Sequence, residues 1–223
     1  MSVFWRPRGC VLWFDFAELS GDTVYDLSGN NNHGTIYGAS WRRGHLVGAL
    51  EFDGVDDYVE VSDSPSLDIT DELTIETFIY YKGYTVYPTI VCKGTQNYRL
   101  FFMDDGTIIF RLIIDGEGTG NNCRSVTIIP TNRWVHIVGT YDGSVMKIYI
   151  NGELDPGYYE ITGSITPNNE SMIIGNWNDL TNPRPFYGLI AHTRIYNRAL
   201  TEREIRAHAN YLLQKYIAHP PFI

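Results

Sequence analysis

The 223-residue chain is poor in positive charge, poor in cysteine and free of any long apolar run. Its 17 Lys and Arg face 26 Asp and Glu, a formal net charge of −9. Nucleic-acid phosphates demand a basic surface, so that partner class is excluded. The same deficit disfavours an anionic membrane surface. No stretch approaches the roughly 18 apolar residues that span a bilayer, and no membrane insertion is expected. The opening MSVFWRPRGC lacks the apolar segment of a secretory leader. The expectation is therefore either a processed fragment or a protein that reaches its place by another route. The three cysteines, Cys10, Cys92 and Cys123, have no CxxC-type metal spacing and show no paired framework. They are expected to be free. The histidines are scattered, with no HExxH, no nucleophile elbow and no phosphate-cradling glycine loop.

Aromatic residues are abundant instead, with 16 Tyr, 10 Phe and 5 Trp. Short segments alternate apolar and polar residues, the pattern of strands with one face in a core. Segments 47–61, 73–81, 98–103, 107–113, 134–141 and 145–150 read this way. They are broken by Asp-Gly and Asn-Gly dipeptides that tolerate the positive φ of hairpin turns. Strand follows strand with no helical pattern between, which indicates antiparallel pairing. One helix is expected late: Thr201-Glu202-Arg203-Glu204 fits a capping box, followed by a patchy apolar side of Ile205, Leu212 and Leu213. The expected organisation is a lead-in (1–10), a two-sheet sandwich (11–200) and a C-terminal helix and tail (201–223). At this length one all-β domain with a sizeable core is reasonable. The helix and the apolar end Pro220-Pro221-Phe222-Ile223 offer a way to dock a neighbour or pair subunits; the alternative is packing on the chain's own sandwich.

The motifs LWFDFAELSGDTVYDLSGNNNHGTIYG, GALEFDGVDDYVEV, LTIETFIY, RWVHIVGTYDGSVMKIYING, MIIGN and FYGLIAHTRIYNRALTEREI occur in this order. Their order resembles that of laminin-G-like (pentraxin-type) domains of the concanavalin A-like lectin/glucanase superfamily. The resemblance spans residues 11–208. It implies an all-β jelly-roll sandwich of two curved antiparallel sheets, often with a structural calcium. It also implies a binding module for glycans or extracellular proteins, placed outside the cell, on a cell surface or on a virion. Fold alone does not fix the ligand.

Calcium requires six to eight oxygen ligands. The loop Asp26-Leu-Ser28-Gly-Asn30-Asn-Asn32 offers side-chain oxygens at every second residue, with Asp26 and Asn30 as ligands. The competing account is a turn hydrogen-bonded to its own backbone. Asp53 and Asp57 in the FDGVDDY turn are a second candidate pair, against a solvated acidic hairpin. By resemblance, a third site lies where relatives carry an acidic pair near the last strand, with oxygens near Asp15 here. This chain reads Ala191-His192 at that place, so it departs from the pattern.

Sugar sites combine aromatic platforms with polar donors and acceptors. Two loops have that mixture: the tyrosine-rich 80–88 with Tyr84 and Tyr87, and 175–179 with Trp177 between the amides Asn176 and Asn178, followed by Arg184 and Tyr187. The hairpin 98–113 offers a third surface that depends on register. A three-residue turn sets Arg99 opposite Arg111 beside Phe101, suited to an acidic saccharide. A two-residue turn separates the arginines. Enzymes of this superfamily usually set carboxylates at alternate positions of one strand. Glu51 and Asp53 have that spacing, but Gly54 ends the face. A non-catalytic carbohydrate-binding module with calcium is the leading expectation, a structural or protein-binding module of a larger surface assembly the alternative, and a glycan hydrolase or lyase the third.

Overall fold

The computed structural model describes residues 7–43, 48–83, 85–95, 97–116 and 120–218, with residues 217 and 218 described by their backbone alone. In chain order the first strands are β1 (Cys10–Phe14), β2 (Thr23–Val24), β3 (Gly34–Tyr37), β4 (Ser40–Arg43), β5 (Gly48–Asp53) and β6 (Tyr58–Val61). Next come β7 (Leu73–Tyr81), β8 (Thr89–Lys93), β9 (Tyr98–Phe102), β10 (Ile108–Leu112) and β11 (Asn121–Arg124). The chain continues through β12 (Trp134–Tyr141), β13 (Val145–Ile150), β14 (Glu153–Glu160), β15 (Met172–Ile174), β16 (Tyr187–Tyr196) and α1 (Glu202–Ala218).

Two eight-stranded sheets result. The first runs β14-β13-β12-β7-β16-β5-β4, with β1 also paired to β16; the second runs β11-β10-β9-β8-β15-β6-β3-β2. Every strand pair is antiparallel. The expected strands 73–81, 134–141 and 145–150 coincide with β7, β12 and β13. The β13–β14 turn has φ of 53° at Asn151 and 86° at Gly152, both left-handed, as a two-residue hairpin demands.

The sheets close over an aromatic and aliphatic core that includes Phe14, Phe52, Tyr98, Phe102, Phe110 and Ile137. At Gly139 of β12 a Cβ would lie 2.7 Å from the Phe110 ring of the opposite sheet, so only glycine lets the layers approach there. One expectation needs correction. Segment 47–61 is not a hairpin: β5 belongs to the first sheet and β6 to the second, so the FDGVDDY turn carries the chain across the sandwich. Alternation alone does not say whether consecutive strands pair or change layers. All three cysteines are buried and free.

The helix begins as its capping box dictates. Glu204 Oε2 accepts the Thr201 amide at 2.9 Å, and the Glu204 amide donates to Thr201 Oγ1 at 3.3 Å. Its buried stripe is Ile205, Ala209, Leu212 and Tyr216, spaced by three or four residues, with Leu213 only at the margin. This stripe packs on the outer face of the first sheet, where Tyr216 meets Phe78 and Trp134 at ring-centre distances of 5.0 and 4.9 Å. Of the two expectations for the helix, packing on the chain's own sandwich is the one its buried stripe takes. Residues 219–223 lie outside the described residues. Among the described residues no helix is long and apolar enough to cross a membrane.

Candidate functional site

The β9–β10 turn decides the geometry of the second sheet's outer face. Met103 donates its amide to the Thr107 carbonyl at 2.8 Å, which leaves Asp104, Asp105 and Gly106 as a three-residue loop. Arg99 is therefore paired with Arg111, and Phe101 with Ile109. Tyr98, Leu100 and Phe102 turn into the core, so strand alternation puts Arg99 and Phe101 on the other face. Asn122 of β11, opposite Arg111, accepts the Arg111 Nε hydrogen at 2.7 Å.

A loop between β15 and β16 walls this face. At Gly175 φ is +85° and a Cβ would lie 2.2 Å from the Phe52 ring, so the turn needs glycine. The Asn176 side-chain oxygen then accepts the amides of both Trp177 and Arg184 at 2.8 Å. One buried amide thus draws residues 177 and 184 together. A polar lattice holds the other side. Buried Lys93 donates to Asp63 at 2.6 Å and to the Glu170 carbonyl at 2.6 Å. Glu170 Oε2 accepts the Thr95 amide and the Asn178 side-chain amide at 2.9 and 2.7 Å. Trp177 Nε1 donates to the Thr95 carbonyl at 3.2 Å.

The result is a groove of about 420 Å³ floored by Phe101 and Ile109 and walled by Tyr87, Trp177, Arg99, Arg111, Arg184 and Asn122. Cation–π contacts set its side chains against one another. The Arg99 guanidinium lies 4.1 Å from the Phe101 ring centre and 5.0 Å from that of Trp177. Arg184 lies 5.3 Å from Tyr87 and 5.7 Å from Trp177, and Arg111 5.4 Å from Phe101. Arg99 is only 7 % exposed. It donates from Nε to Thr89 Oγ1 at 3.0 Å and from Nη2 to the Tyr87 carbonyl at 3.3 Å. Burial, with Arg111 and Arg184 nearby, pushes its pKa down to about 10. Burial also lowers that of Arg111.

Of the residues expected at a ligand site, Tyr87, Arg99, Arg111 and Trp177 come together here. Asn178 does not: its amide is turned to Glu170, away from the groove lining. Tyr84 lies outside the described residues. Arg184 and Asn122 complete the groove. Arg184 follows the Trp177 loop in the sequence and is drawn in by Asn176, whereas the signal for Asn122 was its strand register, which composition does not display.

The expected metal ligands are separated. Asp26 accepts four hydrogen bonds, from the Trp13 and Ser28 amides on Oδ1 and from Ser28 Oγ and the Asn32 amide on Oδ2, all within 3.0 Å. Asn30 Nδ2 donates to Ser28 Oγ at 2.9 Å. This loop takes the hydrogen-bonded turn form. Asp15 Oδ1 accepts the Ala17 amide at 3.2 Å, while Ala191 is buried beside Leu212 and Tyr216 of the helix. The face on which relatives would hold a metal near Asp15 is covered there by α1. Asp53, Asp56 and Asp57 keep carboxylate oxygens within 4.8 Å of one another. Burial and the neighbouring charges of Asp53, Asp56 and Glu51 raise the Asp57 pKa. Of the two alternating acids, Glu51 is bound to Arg42 and Lys82, and Asp53 Oδ1 accepts the Val55 amide at 2.8 Å.

A second polar cluster sits under α1. Glu76, 1 % exposed, is met by His136 Nε2 at 2.8 Å, His208 Nδ1 at 3.0 Å, the Tyr196 hydroxyl at 3.3 Å and Arg194 Nη1 at 3.5 Å. Burial alone would raise its pKa, yet the Arg194 charge and both histidine hydrogen bonds hold it well below the carboxylate range. His136 thus meets Glu76 through Nε2 from within β12, while its buried Nδ1 has no hydrogen-bond partner among the described residues.

Two antiparallel sheets face to face, with an aromatic and polar groove on an outer sheet face, make a jelly-roll sandwich. The chain belongs to the concanavalin A-like lectin/glucanases superfamily, whose laminin-G-type sequence model matches residues 53–206. Among curated proteins it is 30 % identical to mouse (Mus musculus) pappalysin-1 over 92 residues, 38 % of this chain and 6 % of that protein. The match therefore spans a small part of a much longer relative. Among solved structures it resembles domain 4 of AbnA, a GH43 extracellular arabinanase of Geobacillus stearothermophilus, in complex with arabinotriose. The TM-score is 0.71 at 23 % identity, covering 90 % of this chain and 98 % of that one. It also resembles the binding domain of Paraclostridial Mosquitocidal Protein 1, with TM-score 0.71, 21 % identity and coverage of 92 % and 52 %. These likenesses establish the fold.

Proposed function

We propose that this chain is a non-catalytic recognition module that binds carbohydrate in the groove on the outer face of its second sheet. The observation that carries the reading is the convergence of Trp177, Phe101 and Tyr87 with Arg99, Arg184, Arg111 and Asn122 in one recess. Aromatic rings suit the C–H faces of a sugar, and the polar side chains suit its hydroxyls. The same fold in AbnA domain 4 was solved with arabinotriose, and a botulinum neurotoxin binding domain of this fold with the protein synaptotagmin II. Saccharide is favoured over protein because the recess is small and polar-walled, not a broad apolar patch. We place the module outside the cell or on a cell or virion surface, as for the extracellular arabinanase it resembles.

A structural calcium belongs on the Asp53–Asp56–Asp57 turn. Its three clustered carboxylates are hard oxygen donors, and a cation would offset the burial and the mutual repulsion that raise Asp57. Its role is to fix the crossover between the sheets.

Binding to a broad glycan array, with calcium and with a chelator, tests both statements. A specific saccharide is expected to be retained, and Trp177→Ala to lose at least tenfold in affinity while circular dichroism shows a folded protein. Full retention by the variant assigns binding to another surface. Silence of the whole array in both conditions rejects the carbohydrate reading in favour of a protein-binding module.

A further inference from the structure

The charge of the groove is at odds with the charge of the chain. Overall the protein carries nine more acidic than basic residues, 26 against 17. Yet among the described residues no Asp or Glu lines the groove, whereas three arginines do. Of the other described arginines, Arg42 meets Glu51, Arg124 Asp105, Arg194 Glu76, Arg198 Glu204 and Arg206 Glu153, while Arg8, Arg43, Arg133 and Arg203 pair with no described carboxylate but stand exposed in solvent. Arg99, Arg111 and Arg184 have no carboxylate partner among the described residues. Arg99 is the extreme case, nearly buried and braced only by neutral oxygens of Thr89 and Tyr87. A buried, unpaired cation is costly, and bringing three like charges together adds to the cost. Such an arrangement persists where an incoming anion completes it.

Resting on the reading of this groove as a saccharide site, we propose that its ligand carries a fixed negative charge, a carboxylate or sulfate seated against Arg99, Arg111 and Arg184. The sugar ring then lies on the neighbouring aromatic surface. The fork of a guanidinium matches either oxyanion with paired N–H donors, which lysine would not. Arg99 supplies a fixed fork because its bonds to Thr89 and Tyr87 and its contact with Phe101 fix its orientation. Arg184 makes no side-chain hydrogen bond among the described residues and is free to close on the ligand from the loop side. The overall negative charge repels polyanions in general, so retention of one would come from the groove and not from diffuse attraction.

The test pairs each anionic saccharide with a neutral parent of the same backbone. Oligogalacturonate is compared with its methyl ester, and dextran sulfate with dextran, by titration calorimetry on the full chain. A single-stranded oligonucleotide is the non-saccharide polyanion. The expected result is binding of at least one anionic member about tenfold or more tighter than its neutral parent, the worth of one charge-assisted hydrogen bond. The uronate pair reports a carboxylate site and the dextran pair a sulfate site. Arg184→Gln should remove most of that preference without altering the thermal midpoint, and Arg99→Gln should remove it too. Equal binding of charged and neutral partners overturns the anion proposal and leaves the saccharide reading standing. Undiminished preference in both variants overturns the placement in this groove. Oligonucleotide bound in preference to every saccharide, or no saccharide bound at all including the neutral glycan array, rejects both readings.

Discussion

Arg99 and Arg194 occupy equivalent settings on opposite sides of the sandwich, 7 % and 8 % exposed on the outer faces of the second and first sheets. Each stacks on an aromatic ring, Arg99 on Phe101 at 4.1 Å and Arg194 on Trp13 at 4.6 Å. Their electrostatics are opposite. Against its burial, Arg194 is held above the ordinary guanidinium pKa by the Glu76 carboxylate, whereas Arg99 falls to about 10. The first belongs to a closed network under a helix, in which Glu76 also receives His136, His208 and Tyr196. The second faces an open groove and lacks a counter-charge among the described residues. An arginine paired inside the protein marks structure; an equally buried arginine left for solvent or ligand to complete marks a site.

Substituting the two arginines by methionine is the sharpest way to break this comparison. Arg194→Met leaves Glu76 buried without its cation and should cost about 3–5 kcal/mol in urea unfolding. A loss below about 1 kcal/mol would show that the histidines alone neutralise Glu76. Acid is the next largest lever. Glu76 and Glu204 both have folded pKa values below 4.5, Glu204 at about 2 through its hydrogen bonds from Arg198. Their contribution is complete above pH 4.5 and is lost as pH falls toward the folded values. Unfolding midpoints should therefore decline steadily from pH 4.5 downward, and Glu76→Gln should flatten that decline more than Glu204→Gln, whose carboxylate is more exposed to solvent. Equal slopes in the wild type and Glu76→Gln would remove Glu76 from its place as the acid-sensitive centre. The smallest effect belongs to Arg99→Met. Removing an unpaired charge offsets the lost Thr89 bond, so stability should stay within about 1 kcal/mol of wild type or rise. A loss like that of Arg194→Met would mean that Arg99 is structural as well.

The same contrast governs what could be read from the chain alone. Strands β7, β12 and β13 were legible because each buries a core face, and β12 and β13 also end in turns whose chemistry is local, Asp142-Gly143 and Asn151-Gly152. The helix start was legible because the Thr201–Glu204 box is a contact between residues three apart. The crossover from β5 to β6 was not, since the choice between pairing and changing sheets rests on partners far along the chain: β16 for one and β3 and β15 for the other. Register was half legible: the two turn lengths at Asp104-Asp105-Gly106 were both plausible, and the longer one sets Arg99 beside Arg111. Arg184 joins them through Asn176, and the Glu76 network joins residues from three strands and the helix. Neither leaves a periodic or spacing signal, because the residues meet only after the sandwich and its cap have formed.

The central claim, that the groove of the second sheet is the saccharide site, is tested most directly by the five tryptophan indole N–H resonances. Saccharides are titrated into the nitrogen-15-labelled chain and the indole signals followed, each assigned by substitution. The account predicts that a bound saccharide shifts the Trp177 indole while those of Trp13 and Trp134, packed on the first sheet, stay in place. A saccharide that binds and leaves Trp177 unmoved would contradict it.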